Sequence, residues 1–252
     1  MNTSLTGLGT ALITPFCEDG SVDYAALTSL IDKQLSSRTT GAPTAGIDYL
    51  VVLGTTGETA TLTLAEQDAV REHIVRQVAG RVPLVLGLGG NCTAAVIERI
   101  NQLRDVLQSD FAAILSVCPY YNKPSQEGLY QHFTAIAKAS PIPVILYNVP
   151  GRTGVNLLPE TVMRIYDASP DRILGIKEAS GNIQQITELI DLADGKLLVI
   201  SGDDGIACEL MNAGADGLIS VASNAFPEDM GRLVHEHSMA LQQRYAHIIH
   251  LL

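Results

Sequence analysis

The feature that most constrains the fold is a series of eight short apolar segments spread along the whole 252-residue chain. Their valine, isoleucine and leucine residues run almost without interruption, as in strands that are buried on both faces. The segments are 7–14, 47–54, 82–89, 111–118, 142–148, 173–178, 197–203 and 216–221. Amphipathic stretches with helical spacing lie between them, at 24–35, 65–78, 94–107, 127–139, 159–166, 183–192 and 206–212. Strands that alternate with helices predict parallel pairing through right-handed crossovers.

Eight such units in about 250 residues predict an α/β fold, the (β/α)8 TIM barrel. A doubly wound open sheet is the alternative, but it normally has a glycine-rich phosphate turn after its first strand, and ITPFCEDG is not one. We expect residues 1–226 to form the barrel and residues 227–252 to begin a C-terminal helical region that is truncated. The Ser/Thr/Gly/Pro-rich stretch 36–46 is expected to be a surface loop away from the chemistry.

Composition excludes several classes of function. The formal net charge is -11, whereas nucleic-acid-binding proteins usually carry a basic stripe. No apolar run approaches the roughly 18 residues of a membrane helix, and the first residues lack the features of a signal peptide. The four cysteines are far apart with no C-x-x-C pair, so neither a disulfide framework nor a zinc site is indicated. We therefore expect a cytoplasmic protein that binds neither nucleic acid nor a membrane.

The carboxyl ends of the strands are where a (β/α)8 barrel builds its active site. The second segment ends in GTTGE, in which Thr55 and Thr56 offer hydroxyl and N–H groups to a carboxylate or an oxyanion. The same residues suit a simple capped turn equally well. The fourth segment ends in CPYYNKP, whose adjacent tyrosines, Tyr120 and Tyr121, also suit packing at the rim.

The fifth segment ends in LYNVPGRTG, which places Tyr147 where the strand leaves the barrel. Arg152 follows in a loop that contains proline and glycine. The planar guanidinium of arginine suits bidentate recognition of a carboxylate, although a loop arginine is usually only solvated.

Lys177 directly follows the apolar run ILGI of the sixth segment, where an ammonium group is costly to desolvate. Because side chains alternate along a strand, we expect Ile173, Gly175 and Lys177 to share one face, with Gly175 leaving space beneath the lysine. Burial lowers the pKa of a lysine, and a partly neutral amine can form a Schiff base with a ketone. The alternative is a lysine that extends out of the barrel mouth into solvent.

The seventh segment ends in SGDDG, and its two aspartates argue against a phosphate site at the position where barrels usually build one. Asp203 and Asp204 would repel a phosphate, so a sugar phosphate is not expected as substrate. No histidine lies at a strand end, which argues against a histidine-bound metal. We expect neither a metal nor another cofactor.

Five motifs in this order, GTTGE, PYYNKP, YNVPGRTG, GIKEASG and SGDD, resemble the dihydrodipicolinate synthase family of pyruvate-dependent class I aldolases. The resemblance covers nearly the whole chain. It implies condensation of pyruvate with aspartate 4-semialdehyde in lysine and diaminopimelate biosynthesis, without a cofactor. It also implies a homo-oligomer that is a dimer of dimers.

The resemblance also implies a role for each residue that matches a family motif. Lys177 would form the Schiff base, and Tyr147 would transfer protons to and from the imine and its enamine. Thr55 and Tyr121 would complete a proton relay, with Tyr121 supplied by a neighbouring subunit. The residues implied to hold the substrates are Thr56, Gly202 and the backbone around Ile219 for pyruvate, and Arg152 for the carboxylate of the aldehyde.

Alternatives remain within and beyond the superfamily. N-acetylneuraminate lyase and the keto-deoxy sugar acid aldolases share the lysine and tyrosine, but the lyase usually has Ser-Thr in place of Thr55-Thr56 and lacks Arg152. A barrel that has lost turnover is a third alternative, opposed by the unbroken set of reactive residues. Leu64 and Ala95 replace the histidine and glutamate of lysine-inhibited members, which predicts weak or absent feedback inhibition.

The C-terminal stretch departs from the family, whose chains continue for several helices. Leu241, Tyr245, Ile248 and Leu252 would lie on one face of a helix that nothing later in the chain can cover. We expect this face to be buried between subunits or to be left exposed by truncation.

Overall fold

The computed structural model describes residues 5–37 and 46–249 and contains a closed barrel of eight parallel strands in sequence order. The strands are β1 (Gly7–Ala11), β2 (Tyr49–Val52), β3 (Leu84–Gly87), β4 (Ala113–Val117), β5 (Val144–Asn148), β6 (Ile173–Glu178), β7 (Leu198–Ser201) and β8 (Gly217–Ser220). All eight predicted strands are confirmed, and most are shorter than the apolar segments. β1 pairs with β8, so the sheet has no free edge.

Helices surround the barrel, and the predicted ones are confirmed within a few residues. They are α1 (Tyr24–Ser36), α2 (Leu64–Val78), α3 (Thr93–Gln102), α4 (Arg104–Asp110), α5 (Gln126–Ala139), α6 (Pro150–Thr153), α7 (Pro159–Ala168), α8 (Ile183–Ala193), α9 (Ala207–Asn212), α10 (Pro227–Glu236) and α11 (Met239–Ile249). The single helix expected over 94–107 is two helices that meet at Leu103. Helix α6 was not predicted, whereas α10 and α11 confirm the helical region expected from residue 227 onwards.

Local signals in the sequence set several of the helix starts. The Ser125 hydroxyl accepts a hydrogen bond from the Gly128 N–H and caps α5. Thr63 and Glu66 form a reciprocal capping box at the start of α2. Pro159 occupies the first turn of α7, where a missing N–H costs nothing.

Two apolar clusters lie on the two sides of the sheet. The outer cluster lies between the strands and the helices and includes Leu50, Leu146, Ile176 and Leu218. The inner cluster fills the barrel. Its fully buried Tyr49 packs at the amino-terminal end of the barrel with its ring against Gly9. The Tyr49 ring therefore helps to fill the barrel interior at that end.

The C-terminal helices pack against the barrel. Helix α10 contacts β1 and β8 and so completes the ring of helices. Helix α11 contacts the turn after β7, where the Gln242 side chain accepts a hydrogen bond from the Cys208 N–H at 2.7 Å and donates one to the Gly205 carbonyl. Leu241 packs against the outer cluster. The remainder of the stripe expected over 241–252, and most of the stretch 36–46, lie outside the described residues and side chains.

Candidate active site

Lys177 and Tyr147 lie side by side at the carboxyl ends of β6 and β5. They are partners in the strand register, and the Lys177 Nζ atom lies 4.5 Å from the centre of the Tyr147 ring. Only 5% of Lys177 is exposed, so it does not extend into solvent. Burial lowers the pKa of Lys177 to about 8; the Asp204 carboxylate opposes this shift and the Arg152 guanidinium adds to it. A substantial fraction of the amine is therefore neutral near pH 8.

Tyr147 forms a hydrogen bond with Thr55 from the end of β2. Burial raises the pKa of Tyr147, and the hydrogen bond with Thr55 and the charge of Arg152 oppose that change. A short 3-10 turn, Thr55–Gly57, fixes the threonine, and the Thr59 hydroxyl donates to the carbonyls of Leu53 and Gly54 at 2.8 and 3.0 Å. The turn brings a hydroxyl from the far side of the barrel to the phenol.

Arg152 lies in the short helix α6 that follows β5. The helix ends at Gly154, which adopts a left-handed conformation with φ of 72°. The side chain of Arg152 is exposed at the mouth, yet its charge acts on both Lys177 and Tyr147. The arginine predicted to bind a carboxylate therefore lies close to the reactive amine.

Gly202, and not Gly175, is the glycine against the lysine, which corrects the sequence-based interpretation. A Cβ atom on Gly175 would lie 2.5 Å from the Leu198 carbonyl oxygen, so the space there is filled by strand β7. A Cβ atom on Gly202 would lie 2.8 Å from Cε of Lys177. The expectation that Ile173 shares a face with Lys177 was also wrong. The register between β5 and β6 shifts between Val144 and Ile145, and Ile173 packs in the outer cluster.

The other predicted substrate-binding residues lie at strand ends around the same mouth. Ile219 is fully buried in β8 as part of the inner cluster, and Gly202 donates its N–H to the Glu178 carbonyl at 2.8 Å. Thr56 is half-buried in the turn that carries Thr55. Lys177, Tyr147, Thr55, Arg152 and these three residues thus come from five strand ends of one barrel face.

Tyr121 is not brought into the site of the single chain. It is 88% exposed, in a left-handed conformation with φ of 71°, on the loop after β4. The neighbouring Tyr120 is 44% exposed. A role for Tyr121 in a proton relay therefore needs a second copy of the chain, as the family resemblance implies.

Glu178 is a buried acid that sequence reasoning did not find. It follows Lys177 but points to the opposite face of β6, where Asn148 donates a hydrogen bond to it at 2.9 Å and the Ser180 N–H another at 2.7 Å. Asn148 also accepts a hydrogen bond from the Leu157 N–H, at the end of the loop that carries Arg152. Burial raises the pKa of Glu178 and these hydrogen bonds oppose that change. The sequence could have indicated this role, because an acid inside a strand that is covered on both faces requires buried hydrogen-bond partners.

A cavity of about 720 Å³ opens from the mouth toward α2 and α3. Its lining includes Thr55 and Tyr147 at one end and Leu64 and Ala95 at the other, whereas Lys177 does not line it. Among the described residues, no group of three or more His, Cys, Asp or Glu side chains is placed to hold a metal ion. No helix in the same part of the chain has the length and apolar character to cross a membrane.

A closed (β/α)8 barrel with a buried, partly neutral lysine beside a tyrosine is the arrangement of a class I aldolase type of lyase. Comparison with known proteins identifies the family within this class of lyases. The chain belongs to the dihydrodipicolinate synthetase family, whose model matches residues 4–250.

Curated relatives and solved structures agree with this assignment. The 4-hydroxy-tetrahydrodipicolinate synthase of Parabacteroides distasonis is 53% identical over 231 residues, which cover 92% of this chain and 74% of the relative. The synthase of the same name from Phocaeicola vulgatus is 49% identical over 249 residues, or 99% of this chain and 79% of the relative. The crystal structure of the chloride-inhibited dihydrodipicolinate synthase from Acinetobacter baumannii, complexed with pyruvate, has a TM-score of 0.90 and 39% identity, covering 99% of this chain and 84% of that one.

Proposed function

We propose that this chain condenses pyruvate with aspartate 4-semialdehyde to form 4-hydroxy-tetrahydrodipicolinate, the reaction for which its relatives are named. The observation that carries the proposal is the buried Lys177 amine with its lowered pKa, in register beside a tyrosine that is hydrogen-bonded to a threonine. The reaction belongs to lysine and diaminopimelate biosynthesis.

The lowered pKa makes Lys177 a nucleophile near neutral pH. With a pKa of about 8, roughly a tenth of the amine is neutral at pH 7, compared with about 0.03% for an unperturbed lysine. The neutral amine attacks the ketone carbon of pyruvate, and loss of water leaves a protonated imine. The imine draws electrons from the adjacent methyl group, which loses a proton and becomes an enamine. The enamine carbon then forms the new bond with the aldehyde carbon.

Tyr147 is the group placed to move protons in these steps. Its ring lies beside the lysine, and Thr55 is its hydrogen-bond partner. A phenol that exchanges protons near neutral pH needs a partner through which the proton travels, and the threonine hydroxyl can both donate and accept. The proposed relay ends at Tyr121 of a second copy, whose exposed position in the single chain suits that role.

Substrate binding is assigned to the rest of the mouth. Thr56, Gly202 and the backbone around Ile219 hold pyruvate, and Arg152 receives the carboxylate of aspartate 4-semialdehyde. A guanidinium at the rim is well suited to this, because it offers paired N–H donors to the two carboxylate oxygens.

Assembly and location are further parts of the proposal. An exposed Tyr121 and Leu64, at 88% and 61%, support a homo-oligomer of two dimers. Light scattering that shows a stable monomer with full activity would contradict this assembly. The four unpaired cysteines suit a reducing compartment, which supports a cytoplasmic location.

Feedback inhibition by lysine is expected to be weak or absent. Leu64 and Ala95 line the cavity at the positions where lysine-inhibited members have a histidine and a glutamate. Neither side chain can form an ion pair or a hydrogen bond with an amino acid. A steady-state titration with lysine tests this, and potent inhibition would contradict it.

Reductive trapping of the imine tests the proposed chemistry. Borohydride is added with pyruvate, the protein is digested, and mass spectrometry locates the adduct, which we expect on Lys177. Lys177→Ala abolishes the adduct, whereas Lys123→Ala, a change at an exposed lysine in the loop after β4, serves as the matched control. An adduct on another lysine, or none, would refute the mechanism. Consumption of aspartate 4-semialdehyde rather than N-acetylmannosamine then decides the substrate.

A further inference from the structure

Asp204 is a buried carboxyl group that the mechanism above leaves without a role. It begins the short 3-10 turn after β7, two residues beyond the glycine that contacts the lysine stem, and it is only 8% exposed. Its Oδ2 atom accepts hydrogen bonds from the N–H groups of Val221 and Ala222, both at 3.0 Å. Asp204 therefore ties the turn after β7 to the end of β8.

The second oxygen of Asp204 is the unusual feature. The Oδ1 atom is buried and has no hydrogen-bond partner among the described residues. A buried polar atom without a partner is destabilising, so its presence calls for a role that fixed contacts do not supply. Asparagine would make the same two hydrogen bonds through its oxygen without burying a charge.

We propose that Asp204 is a positioning residue that supplies the negative charge facing the Schiff-base nitrogen and thereby stabilises the protonated imine. The proposal rests on the proposed function, because it concerns the imine formed on Lys177. Lys177 and Asp204 belong to the ends of the neighbouring strands β6 and β7, where Lys177 pairs with Ile200 and Gly202 lies against the lysine side chain. At these positions each charge favours the charged form of the other. Burial raises the pKa of Asp204, and the Ser220 hydroxyl, the N–H groups of Val221 and Ala222 and the charge of Lys177 oppose that change.

The charges around the lysine explain why a counter-charge is needed. Arg152 acts on the same nitrogen with the opposite sign, and Tyr147 is uncharged near neutral pH because burial raises its pKa. Glu178 lies on the opposite face of β6, where its carboxylate is already bound by its own donors. Among the described residues, Asp204 is thus the buried carboxyl group whose charge acts on this nitrogen. The imine must stay protonated to draw electrons from the pyruvate methyl group, and in a buried site that cation is expensive without an anion.

The Asp204→Asn variant isolates the charge. It keeps an oxygen for the two N–H groups and removes the buried charge, so we expect a melting temperature close to that of the wild type. Asp203→Asn is the matched control. Asp203 is only half-buried and caps the same turn by accepting a hydrogen bond from the Gly205 N–H at 2.8 Å, which asparagine can also accept.

Two measurements on the full chain with pyruvate and borohydride test the proposal. At pH 9.5 the lysine is neutral in all variants, and we expect Asp204→Asn to need about tenfold more pyruvate for half-maximal trapping. The midpoint of the rate of adduct formation against pH should also fall by about one unit, because the lysine loses an anion. Asp203→Asn should resemble the wild type in both.

The outcomes separate this proposal from the proposed function. A wild-type protein that forms no adduct refutes the function itself. A folded Asp204→Asn protein with wild-type pyruvate dependence and an unchanged pH midpoint refutes only the role of Asp204. If that variant does not fold, Asp204→Ser, which keeps a hydroxyl for the N–H groups, is measured in the same way. A wild-type pH midpoint in this second variant likewise refutes the role.

Discussion

Replacing Gly202 by alanine adds one methyl group against the lysine on which the chemistry depends. The new Cβ atom would lie 2.8 Å from Cε and 3.1 Å from Cγ of Lys177, and 2.7 Å from Cβ of Ala179. Ordinary contacts of this kind are 3.4 Å or longer, so the lysine stem must move by about 0.6 Å or more. Gly202 has no positive φ, so the alanine backbone itself is not strained.

The expected losses in stability and in activity differ in size. The end of the lysine side chain can move cheaply, but Cβ of Ala179 moves only with its backbone, so we place the loss of folding free energy at about 2 kcal/mol, the middle of the range for overpacking. That corresponds to a fall in melting temperature of roughly 4–8 °C for a chain of this length. Catalysis is far more sensitive, because a misplacement of about 1 Å can lower a rate by about 100-fold. We expect imine formation to slow by roughly 10- to 100-fold.

The assay compares the rate of borohydride trapping with pyruvate, and the melting temperature, in wild type and Gly202→Ala. Gly151→Ala is the control, because a Cβ atom there meets nothing within 4 Å. Slow trapping in Gly202→Ala alone, in a protein that is still folded at the assay temperature, is the expected result. Trapping at the wild-type rate would show that the lysine is not held against Gly202 and would refute the reasoning.

Three other predictions concern the relay, the carboxylate site and a surface ion pair. Thr55→Val removes the hydrogen-bond partner of Tyr147 and should lower kcat by roughly two orders of magnitude, with the fold intact by circular dichroism. Arg152→Ala should raise KM for aspartate 4-semialdehyde more than tenfold and leave the trapping of pyruvate unchanged. An equal loss of pyruvate trapping would contradict the assignment of Arg152 to the aldehyde carboxylate. His235 lies 2.9 Å from Asp48, and this hydrogen bond raises its pKa. The protonated histidine thus stabilises the fold below about pH 6.5, and this contribution is lost as pH rises through the raised pKa. Between pH 5.5 and 8, the melting temperature of the wild type should therefore fall more than that of His235→Gln. The difference corresponds to less than about 1 kcal/mol of folding free energy, because the pair is partly exposed.

The fold was predictable because its signals are local and repeated. A strand covered on both faces is mostly apolar, and runs of this kind predicted β2 and β5 directly. The features of the fold that were predicted wrongly also have physical causes. Leu103 ends α3 and begins α4 with φ of -98° and ψ of 10°, a break that the continuous amphipathic pattern does not reveal. Helix α10 begins with Pro227 in its first turn, at the residue where the C-terminal helical region was expected to begin.

The candidate site was predictable as a set of residues but not as a set of contacts. Lys177 and Tyr147 were expected at neighbouring strand ends, and the structure pairs them in register. The contact of Gly202 with Lys177 depends on the register between β6 and β7, which the sequence does not reveal. The sequence does not reveal the register shift beside Val144 either. Asp204 was considered only as a charge that repels phosphate, because burial and an unpaired oxygen are properties of the folded chain.

The pairing of β1 with β8 has a consequence for how the enzyme is made. In that register Gly7 lies opposite Gly217, so the first strand finds its second neighbour only after more than 200 further residues have been synthesised. On the ribosome, β1 therefore has one open edge throughout most of translation, and open edges are prone to pair with other chains. Thr55 emerges long before Lys177 and Asp204, and they share one mouth only in the complete ring. Partly synthesised chains should be inactive and should depend on factors that shield the edge of β1.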